Sequence, residues 1–473
     1  MPPTIAELMR ALPEESEALA EVALREPLAV AFRPVPVGRW RRLRLLASLQ
    51  TRIAAAYLFY WVRSWFERAD QKERLLAETH WKTALRLLDS MGYLRGAVMK
   101  VGQTLANFPD IVPREFVQTL ERLHFDAPPM HWSLFREMVC NELGDDPENV
   151  FASFDKRAFA AASLGQVHRA RLKTGEEVAV KIQYPGIART IREDFRNFFL
   201  YLLPGRLNRD WQNTKEQFDD LRTRLERETD YSLEAAVQEK VRTLFREDDG
   251  IVVARVYPQY STPRVLTMDR LDGVHVDEFM ARSPSQDERN QFAAKMVHAW
   301  YRMLYAGRLS YADNHPGNFV LMDDGRLGVI DFGFMVAHSD DEWKLMHKVD
   351  RALTTGRPED RIAVVKESCL ITDESADAER LRLSEEFFDW TGGAHYRGGP
   401  FDFGDEADFR RGIDLFTEMV RKRYNRARPS MPAFARLNFG VRSMLYRLKA
   451  KFDVRPIAEE EVKATGWDRS AYA

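Results

Sequence analysis

The chain has 473 residues, of which 45% are hydrophobic and 30% charged, with a formal net charge of −2. This length is enough for one large hydrophobic core or roughly two to three smaller ones. The near-neutral charge gives no general attraction to nucleic acid, and no nucleic-acid partner is expected. The two cysteines, Cys140 and Cys369, exclude a disulfide framework and are typical of a reducing compartment. The ten histidines form no pair four residues apart and no cluster with cysteine, which gives a zinc site little support.

The first third of the chain is predicted to be helical. Residues 1–38 mix Pro, Glu and Ala and predict a loosely held arm with one short helix. From Arg39 onward apolar residues recur at helical spacing, so we expect a helical N-terminal extension over 39–150. The longest apolar run, residues 53–62, is about half of the ~20 residues needed to span a bilayer, and no transmembrane helix is predicted.

A basic and aromatic segment within this extension has two interpretations. Arginines surround Trp40, and tyrosine, phenylalanine and tryptophan residues follow between positions 57 and 65. Such a helix can lie on an anionic membrane surface and contact an isoprenoid lipid. It can equally pack on the protein body with its arginines in water. The expected location is therefore cytoplasmic, either free or peripheral at a membrane.

The remainder of the chain alternates between strand and helix patterns and then becomes mainly helical. A second helical piece, over residues 131–143, is expected to end at Gly144, a residue type that is common just after helices. Beyond Gly273 a hairpin with the turn Asp323–Gly325 interrupts a series of helices. This pattern predicts an α+β, mainly helical, bilobal fold of the protein-kinase type, with a small lobe over 151–270 and a larger lobe over 271–473. The expected elements are helices at 131–143, 190–203 and 214–247, and strands at 167–172, 178–182, 251–256, 264–268, 318–322 and 327–331.

One lysine has the position that phosphoryl transfer requires of a phosphate-binding cation. Lys181 ends the strand pattern Val178–Lys181, where a kinase-like lysine contacts the α- and β-phosphates of a nucleotide. Alone this is a weak signal, because strands often end in an exposed lysine.

Three residues of the predicted larger lobe give a sharper signal. Asn318 follows Asp313 by five residues, which is the spacing of a kinase catalytic loop, and Asp331 begins an Asp-Phe-Gly triplet 13 residues later. The predicted hairpin returns the chain between them, so Asn318 and Asp331 can bind Mg²⁺ together. Asp313 is expected to position the attacking hydroxyl or water. The combination predicts ATP or ADP as ligand and Mg²⁺ as cofactor.

No glycine-rich loop precedes Lys181. Residues 160–167 read AAASLGQV in its place. Alanines keep their N–H donors but add Cβ atoms, so phosphates would be covered less closely than under glycines. A small-residue turn between two strands explains the segment equally well. The candidate nucleotide contacts within it are Ala161, Ala162, Ser163, Leu164, Gly165 and Val167.

Four motifs that occur together resemble those of the AarF/UbiB/ADCK family of atypical kinases, over about residues 85–335. They are Lys100–Gln103 (Lys-x-Gly-Gln), the alanine-rich segment that ends at His168, Glu228–Asp230 (Glu-x-Asp) with Glu234 after it, and the two loops Asp313–Asn318 and Asp331–Gly333.

The resemblance implies a gate over the site. The segment with Lys100 and Gln103 would lie across it, close to the nucleotide and to the carboxylates of Glu228 and Asp230. Charge supports this placement, since a buried Lys100 needs an acidic partner. A segment in that position would obstruct a protein substrate, so the resemblance favours ATP hydrolysis or phosphorylation of a small molecule.

The resemblance also implies further contacts and shows two departures, of which one is that the C-terminal membrane-spanning helices of some family members are not expected here. Glu234 would be the helix glutamate that pairs with Lys181, although the residues alone leave open which carboxylate each lysine meets. Met268 would lie at the hinge between the lobes, where backbone groups bind adenine. Asn314 stands where the family commonly has proline. His315 has two interpretations, a proton carrier or, more commonly in such loops, a structural hydrogen-bonding residue.

The function implied by the resemblance is an ATPase or phosphotransferase that supports isoprenoid quinone (ubiquinone) biosynthesis or related lipid metabolism, with enzymes of that pathway as partners. Two alternatives remain open. One is a small-molecule phosphotransferase related to aminoglycoside or choline kinases, whose catalytic loop resembles residues 313–318. The other is a nucleotide-gated scaffold that binds lipids or proteins and turns over little ATP.

Overall fold

The computed structural model describes residues 132–162, 164–189, 191–192, 219, 222–223, 226–372, 377–422, 424, 428, 431–464 and 466. The predicted arm, the basic and aromatic segment, the helix at 190–203 apart from its first residues, and the motif Lys100–Gln103 lie outside these residues.

The described helices are α1 (Trp132–Leu143), α2 (Pro147–Val150), α3 (Tyr231–Arg242), α4 (Val276–Ala281), α5 (Gln286–Tyr305), α6 (Asp340–Thr355), α7 (Pro358–Cys369), α8 (Ala378–Arg397), α9 (Glu406–Arg421), α10 (Met431–Arg447) and α11 (Arg455–Ala464). The described strands are β1 (Ser153–Phe154), β2 (Ala160–Ala162), β3 (Gly165–Arg171), β4 (Glu177–Gln183), β5 (Ile251–Val253), β6 (Val265–Asp269), β7 (Leu309–Tyr311), β8 (Phe319–Leu321), β9 (Leu327–Val329), β10 (Met335–Ala337), β11 (Phe401–Asp402) and β12 (Lys451–Phe452). The α+β fold of the kinase type is confirmed.

Strand β4 is the centre of the small lobe's sheet. It pairs antiparallel with β3 on one side and β6 on the other, and β1 and β2 both pair with β3. Its side chains alternate between the two faces of the sheet, as the period of a strand requires. Val178, Val180 and Ile182 share a core with helix α1. Ala179 and Lys181 therefore face the opposite side, where α3 lies.

Helix α1 packs on this sheet, which changes one expected boundary. Phe135, Met138 and Val139 are buried in the same core as the β4 side chains. We had expected this helix to belong to the extension over 39–150. Its apolar face is instead covered by the sheet, so the small lobe begins at or before α1. The other domain boundaries stay predictions.

The larger lobe is built around α5 and a hairpin. Ser285 and Glu288 form reciprocal hydrogen bonds at the start of α5, which satisfy amide groups that a helix end leaves open. The helix buries Trp300 in a core that includes Phe319 and Phe332. Strands β8 and β9 form the predicted antiparallel hairpin, with Gly325 in a left-handed conformation in its turn.

Two expectations from the sequence were wrong in detail. Strand β5 pairs in parallel with β9, so it belongs to the sheet of the larger lobe although it falls within residues 151–270. The predicted helix at 214–247 is interrupted, because the side chain of Asp230 caps the N-terminus of α3 and α3 ends at Arg242. Among the described residues no helix is both long and apolar enough to cross a membrane.

Helix α11 is fixed to α5 by a buried carboxylate. Glu461 is fully buried, its side chain accepts hydrogen bonds from Arg302, and one of its oxygens lies 2.6 Å from His298 Nδ1. The hydrogen bond with Glu461 raises the pKa of His298, against an opposing effect of burial. Protonated His298 therefore stabilises the packing of α11.

We expect this contribution to disappear at high pH. A group whose pKa is raised on folding stabilises the protein below its unfolded pKa, and the effect is lost as the pH rises through the folded pKa. His298→Gln should lower the Tm by about 1 to 2 °C near pH 6, since an ion-paired hydrogen bond contributes on the order of 1 kcal/mol. Scanning calorimetry from about pH 6 to about pH 9 should show the difference shrinking. A difference that is constant or grows with pH would contradict the assignment.

Candidate functional site

Lys181 is buried and paired with two carboxylates. Its side chain is only 4% exposed. The ammonium donates to both oxygens of Glu234, at 2.8 and 3.0 Å, and to Asp331 Oδ2 at 3.1 Å. These three residues come from β4, α3 and the loop after β9, so the contact joins the two lobes.

The charges of this cluster stabilise one another against burial. Burial alone would lower the pKa of Lys181, but the charges of Asp331 and Glu234 outweigh it and hold that pKa well above its ordinary value. Burial raises the pKa of Glu234 to about 7, while the Lys181 ammonium opposes this rise. Lys181 therefore stays protonated, and its ammonium favours the ionised form of Glu234.

Asp331 is oriented by its neighbours and remains accessible. Its Oδ1 accepts from the amide of Gly333 at 2.9 Å, and its backbone carbonyl accepts from the Tyr311 hydroxyl at 2.9 Å. Phe332 is buried and packs edge to face on Tyr311. The Asp331 side chain itself is 27% exposed, so a ligand can reach it.

The hairpin brings the two predicted metal ligands together. The amide of Ile330 donates to the carbonyl of Asn318 at 3.2 Å, next to Asp331. The side-chain amide of Asn318 donates to the carbonyl of Asp313 at 2.9 Å, which closes the loop between β7 and β8. These hydrogen bonds bring the chain at Asn318 next to Asp331 and tie Asn318 to Asp313.

The alanine-rich segment is a tight hairpin next to β4. Ala160–Ala162 pairs with Gly165–Val167, and a Cβ at position 165 would lie 2.0 Å from the carbonyl oxygen of Ile182. Only glycine fits there, so Gly165 is required by the approach of two strands. The side chain of Leu164 is buried, and its carbonyl accepts from the amide of Tyr184. The expected nucleotide contact of Leu164 can therefore involve only its remaining backbone group.

An apolar surface lies on the Lys181 side of the sheet. Ala179 and Met268 are buried there with Ala254, and the partly buried Val167 and Leu271 pack against them. A flat apolar surface beside a buried cation suits a purine base with its phosphates. The sequence predicts Val167 and Met268 as nucleotide contacts, and the structure places Ala179 and Leu271 beside them.

The expected role of Met268 at a hinge requires a correction. Met268 lies inside β6 and is paired with Ala179 of β4. The next two amides are also engaged, that of Asp269 by the carbonyl of Arg255 and that of Arg270 by the carbonyl of Glu177. Backbone amides that could donate to adenine therefore begin only after Arg270, whereas Met268 could contribute its side chain.

The Glu-x-Asp motif leads directly into α3. Asp230 Oδ1 accepts from the amide of Ser232 at 2.9 Å, which is an N-terminal helix cap. Gln183 of β4 donates to the carbonyl of Thr229 at 2.8 Å and ties the motif to the sheet. Glu228 is half-buried in the same segment. The motif thus fixes the start of the helix that presents Glu234.

Of the remaining predicted residues, the side chain of His315 lies within the described part of the chain and those of the others do not. His315 Nδ1 accepts from the amide of Gly317 at 3.1 Å, as a structural residue of the loop would. Lys100, Gln103 and Ser163 lie outside the described residues, as does the side chain of Ala161, so their predicted contacts stay predictions.

Two aromatic residues of the site were not predicted. The ring of Tyr231 lies 4.9 Å from Lys181 Nζ, and the Tyr311 hydroxyl holds the Asp331 backbone. Burial raises the pKa of both tyrosines, so both remain protonated. Tyr231 follows the Glu-x-Asp motif directly, which could have indicated its place. For Tyr311 the sequence gives no comparable indication, apart from its position two residues before Asp313.

A buried lysine between a helix glutamate and the aspartate of an Asp-Phe-Gly triplet, in a bilobal α+β fold, defines a kinase-like protein. A family model described as the ABC1 atypical kinase-like domain matches residues 122–361, about half of the chain. The chain belongs to this family, and the family resemblance recognised in the sequence is confirmed.

Named relatives agree with this assignment. Protein ACTIVITY OF BC1 COMPLEX KINASE 1, chloroplastic, of Arabidopsis thaliana is 35% identical over 53% of this chain and 37% of its own length. Atypical kinase COQ8, mitochondrial, of Saccharomyces cerevisiae is 30% identical over 52% of this chain and 50% of its own length. The chain thus spans half or less of each of these relatives. A solved structure of Rv3197 from Mycobacterium tuberculosis, described as a complex with erythromycin, has a TM-score of 0.56 and 26% identity, and the match covers 83% of this chain and 98% of that one.

We expect Asp230 to stabilise the protein by capping the N-terminus of α3. Asp230→Ala should lower the free energy of unfolding by about 1 kcal/mol, because an amide at the start of α3 loses its acceptor. Asp230→Ser keeps a capping oxygen and should restore most of that loss, as urea titration can measure. If Ser and Ala variants are equally destabilised, the cap is not what Asp230 contributes.

Proposed function

We propose that the protein is an atypical kinase or ATPase that binds MgATP or MgADP. The observation that supports this most strongly is the buried Lys181 ammonium between Glu234 and Asp331. A cation held in this way is costly to bury and is placed where nucleotide phosphates can exchange with a carboxylate partner.

The nucleotide would lie along the sheet face that holds Lys181. Its base would contact the surface of Val167, Ala179, Met268 and Leu271, and its phosphates would lie under the hairpin of residues 161–167. Lys181, kept in orientation by Glu234, would contact the α- and β-phosphates.

Asn318 and Asp331 would hold Mg²⁺. The donor set fits this ion, since Mg²⁺ prefers oxygen ligands and commonly uses one or two protein groups with phosphates and water completing its shell. Asp331 now accepts from Lys181, so metal binding would require that hydrogen bond to lengthen while the pair of Lys181 and Glu234 persists. The bound ion would supply charge neutralisation at the phosphates.

Asp313 would orient the attacking water or hydroxyl. Its loop is closed by the hydrogen bond from Asn318, which sets the distance between the metal ligand and the carboxylate. The gate formed by Lys100 and Gln103 with Glu228 and Asp230 stays part of this proposal. Because Asp230 already caps α3, pairing with Lys100 would have to share its carboxylate or use Glu228.

The proposed substrate class and pathway rest on the family resemblance. We propose a role in isoprenoid quinone biosynthesis or related lipid metabolism, with quinone-biosynthesis enzymes and a membrane surface or isoprenoid lipid as partners. The names of the relatives, which include kinase and refer to chloroplasts or mitochondria, support phosphoryl chemistry for those proteins.

We expect Asp331→Asn to abolish metal-dependent nucleotide handling. The substitution keeps the shape of the side chain but removes the anionic oxygen that Mg²⁺ requires, so turnover should fall at least about 100-fold. Asp324→Asn is a matched control, since Asp324 lies in the exposed turn of the same hairpin and contacts Arg326. Calorimetric titration with MgATP and phosphate release should separate the two variants. Tight MgATP binding that persists in Asp331→Asn would contradict the assignment of Asp331 as a metal ligand.

The proposed contact of Lys100 with the nucleotide distinguishes this proposal from an ordinary small-molecule kinase. If Lys100 lies over the nucleotide, Lys100→Ala should change the nucleotide dissociation constant or turnover by about tenfold, which corresponds to roughly 1.4 kcal/mol. A general small-molecule phosphotransferase needs no such residue, and the same variant would then leave both quantities unchanged.

Turnover in the presence of lipid decides between enzyme and scaffold. We expect phosphate release to rise with anionic liposomes and a phenolic quinone-precursor mimic and to vanish in Asp331→Asn. Nucleotide binding without release under any of these conditions would favour the scaffold.

A further inference from the structure

The catalytic loop is attached to helix α10 through Asn314. The side-chain amide of Asn314 donates to the carbonyl of Tyr311 at 3.2 Å and to the carbonyl of Leu437, within α10, at 3.3 Å. Asn314 directly follows Asp313, so this hydrogen bond reaches the loop next to its carboxylate.

A glycine in α10 makes this approach possible. A Cβ at position 440 would lie 2.6 Å from the Cβ of Asn314 and 2.7 Å from its Nδ2. Neither atom can move away easily, because the first is fixed by the backbone and the second is hydrogen bonded. Glycine inside a helix is less favourable than alanine by about 1 kcal/mol, so Gly440 is explained by the space it leaves for Asn314.

The orientation of the Asn314 amide is defined by its surroundings. Exchanging its nitrogen and oxygen would place Oδ1 against two carbonyl oxygens. In the orientation observed, Oδ1 is buried with no hydrogen-bond partner among the described residues. Such a buried acceptor is unfavourable, so the two donated bonds and the packing on Gly440 must outweigh it.

Helix α10 has contacts of its own with the core of the larger lobe. Leu437, Met444 and Leu445 are buried in the core of the larger lobe together with Phe319 of β8. At its end Arg447 pairs with Asp277 of α4 at 3.1 Å. The loop therefore contacts a helix that is also held by the core of the larger lobe.

We propose that Asn314 and Gly440 form a positioning contact through which α10 fixes the catalytic loop. Asn314 acts through Asp313 and is a positioning residue. The inference rests on the proposed function for its effect on turnover, but the contact itself can be tested without it. Gly440→Ala should displace Asn314 and with it Asp313, and a displacement of about 1 Å can lower a rate about 100-fold.

The test compares four variants. Gly440→Ala adds the clashing methyl group, Asn314→Gly removes the Cβ it meets, and the double variant moves this carbon from the loop to the helix. Gly392→Ala is the control, since its Cβ would press on Leu353 in another helix of the same lobe. If Gly440→Ala does not fold, Asn314→Ala takes its place, because it removes the side-chain amide that contacts α10 and adds no atom.

Three measurements are made on each variant: phosphate release, the nucleotide dissociation constant, and hydrogen–deuterium exchange of residues 312–318. We expect Gly440→Ala to lower kcat at least tenfold, to leave the dissociation constant within about twofold, and to speed exchange of the loop amides. Adding Asn314→Gly to Gly440→Ala should recover part of the loss, so the two effects are not additive.

The exchange measurement keeps this inference separate from the proposed function. If the wild type releases no phosphate, the proposed function fails, and loop exchange still decides the contact. Additive effects, unchanged exchange in Gly440→Ala, or equal loop exchange in Gly392→Ala would overturn it.

Discussion

The burial of one ammonium group organises the site. Lys181 is almost inaccessible to solvent, and leaving such a cation with no partner would cost several kcal/mol. Glu234 and Asp331 satisfy it from a helix of the small lobe and a loop of the larger lobe. Because the three groups belong to different parts of the chain, their pairing specifies how α3 and the Asp-Phe-Gly loop approach β4.

Several local features of the fold serve this pairing. Gly165 lets the alanine-rich hairpin pack directly on β4. Asp230 caps the start of α3, and Glu234 follows one turn later in that helix. On the other side, the Tyr311 hydroxyl and the Gly333 amide orient Asp331. The cluster is thus preorganised before any ligand binds, and exchange of one Lys181 partner for a phosphate would require little rearrangement.

The sequence predicted the features that are local. The hairpin β8–β9 and the order of Asp313, Asn318 and Asp331 follow from spacing, and the capping role of Asp230 could have been read from an aspartate just before a helix. The features that the sequence did not predict depend on contacts between residues that are far apart in the sequence. Strand β5 pairs with β9 more than 70 residues away, and Asn314 contacts Leu437 at a separation of 123 residues. Periodicity describes which face of an element is apolar but not which element covers it.

A crystal structure of the complete chain with MgADP would test the central claim most directly. The account predicts that Lys181 keeps its contact with Glu234 and exchanges Asp331 for phosphate oxygens. It also predicts that Mg²⁺ lies about 2.1 Å from oxygens of Asn318 and Asp331. A nucleotide bound elsewhere, or an Asp331 that still accepts from Lys181 while the metal is held by other residues, would contradict it.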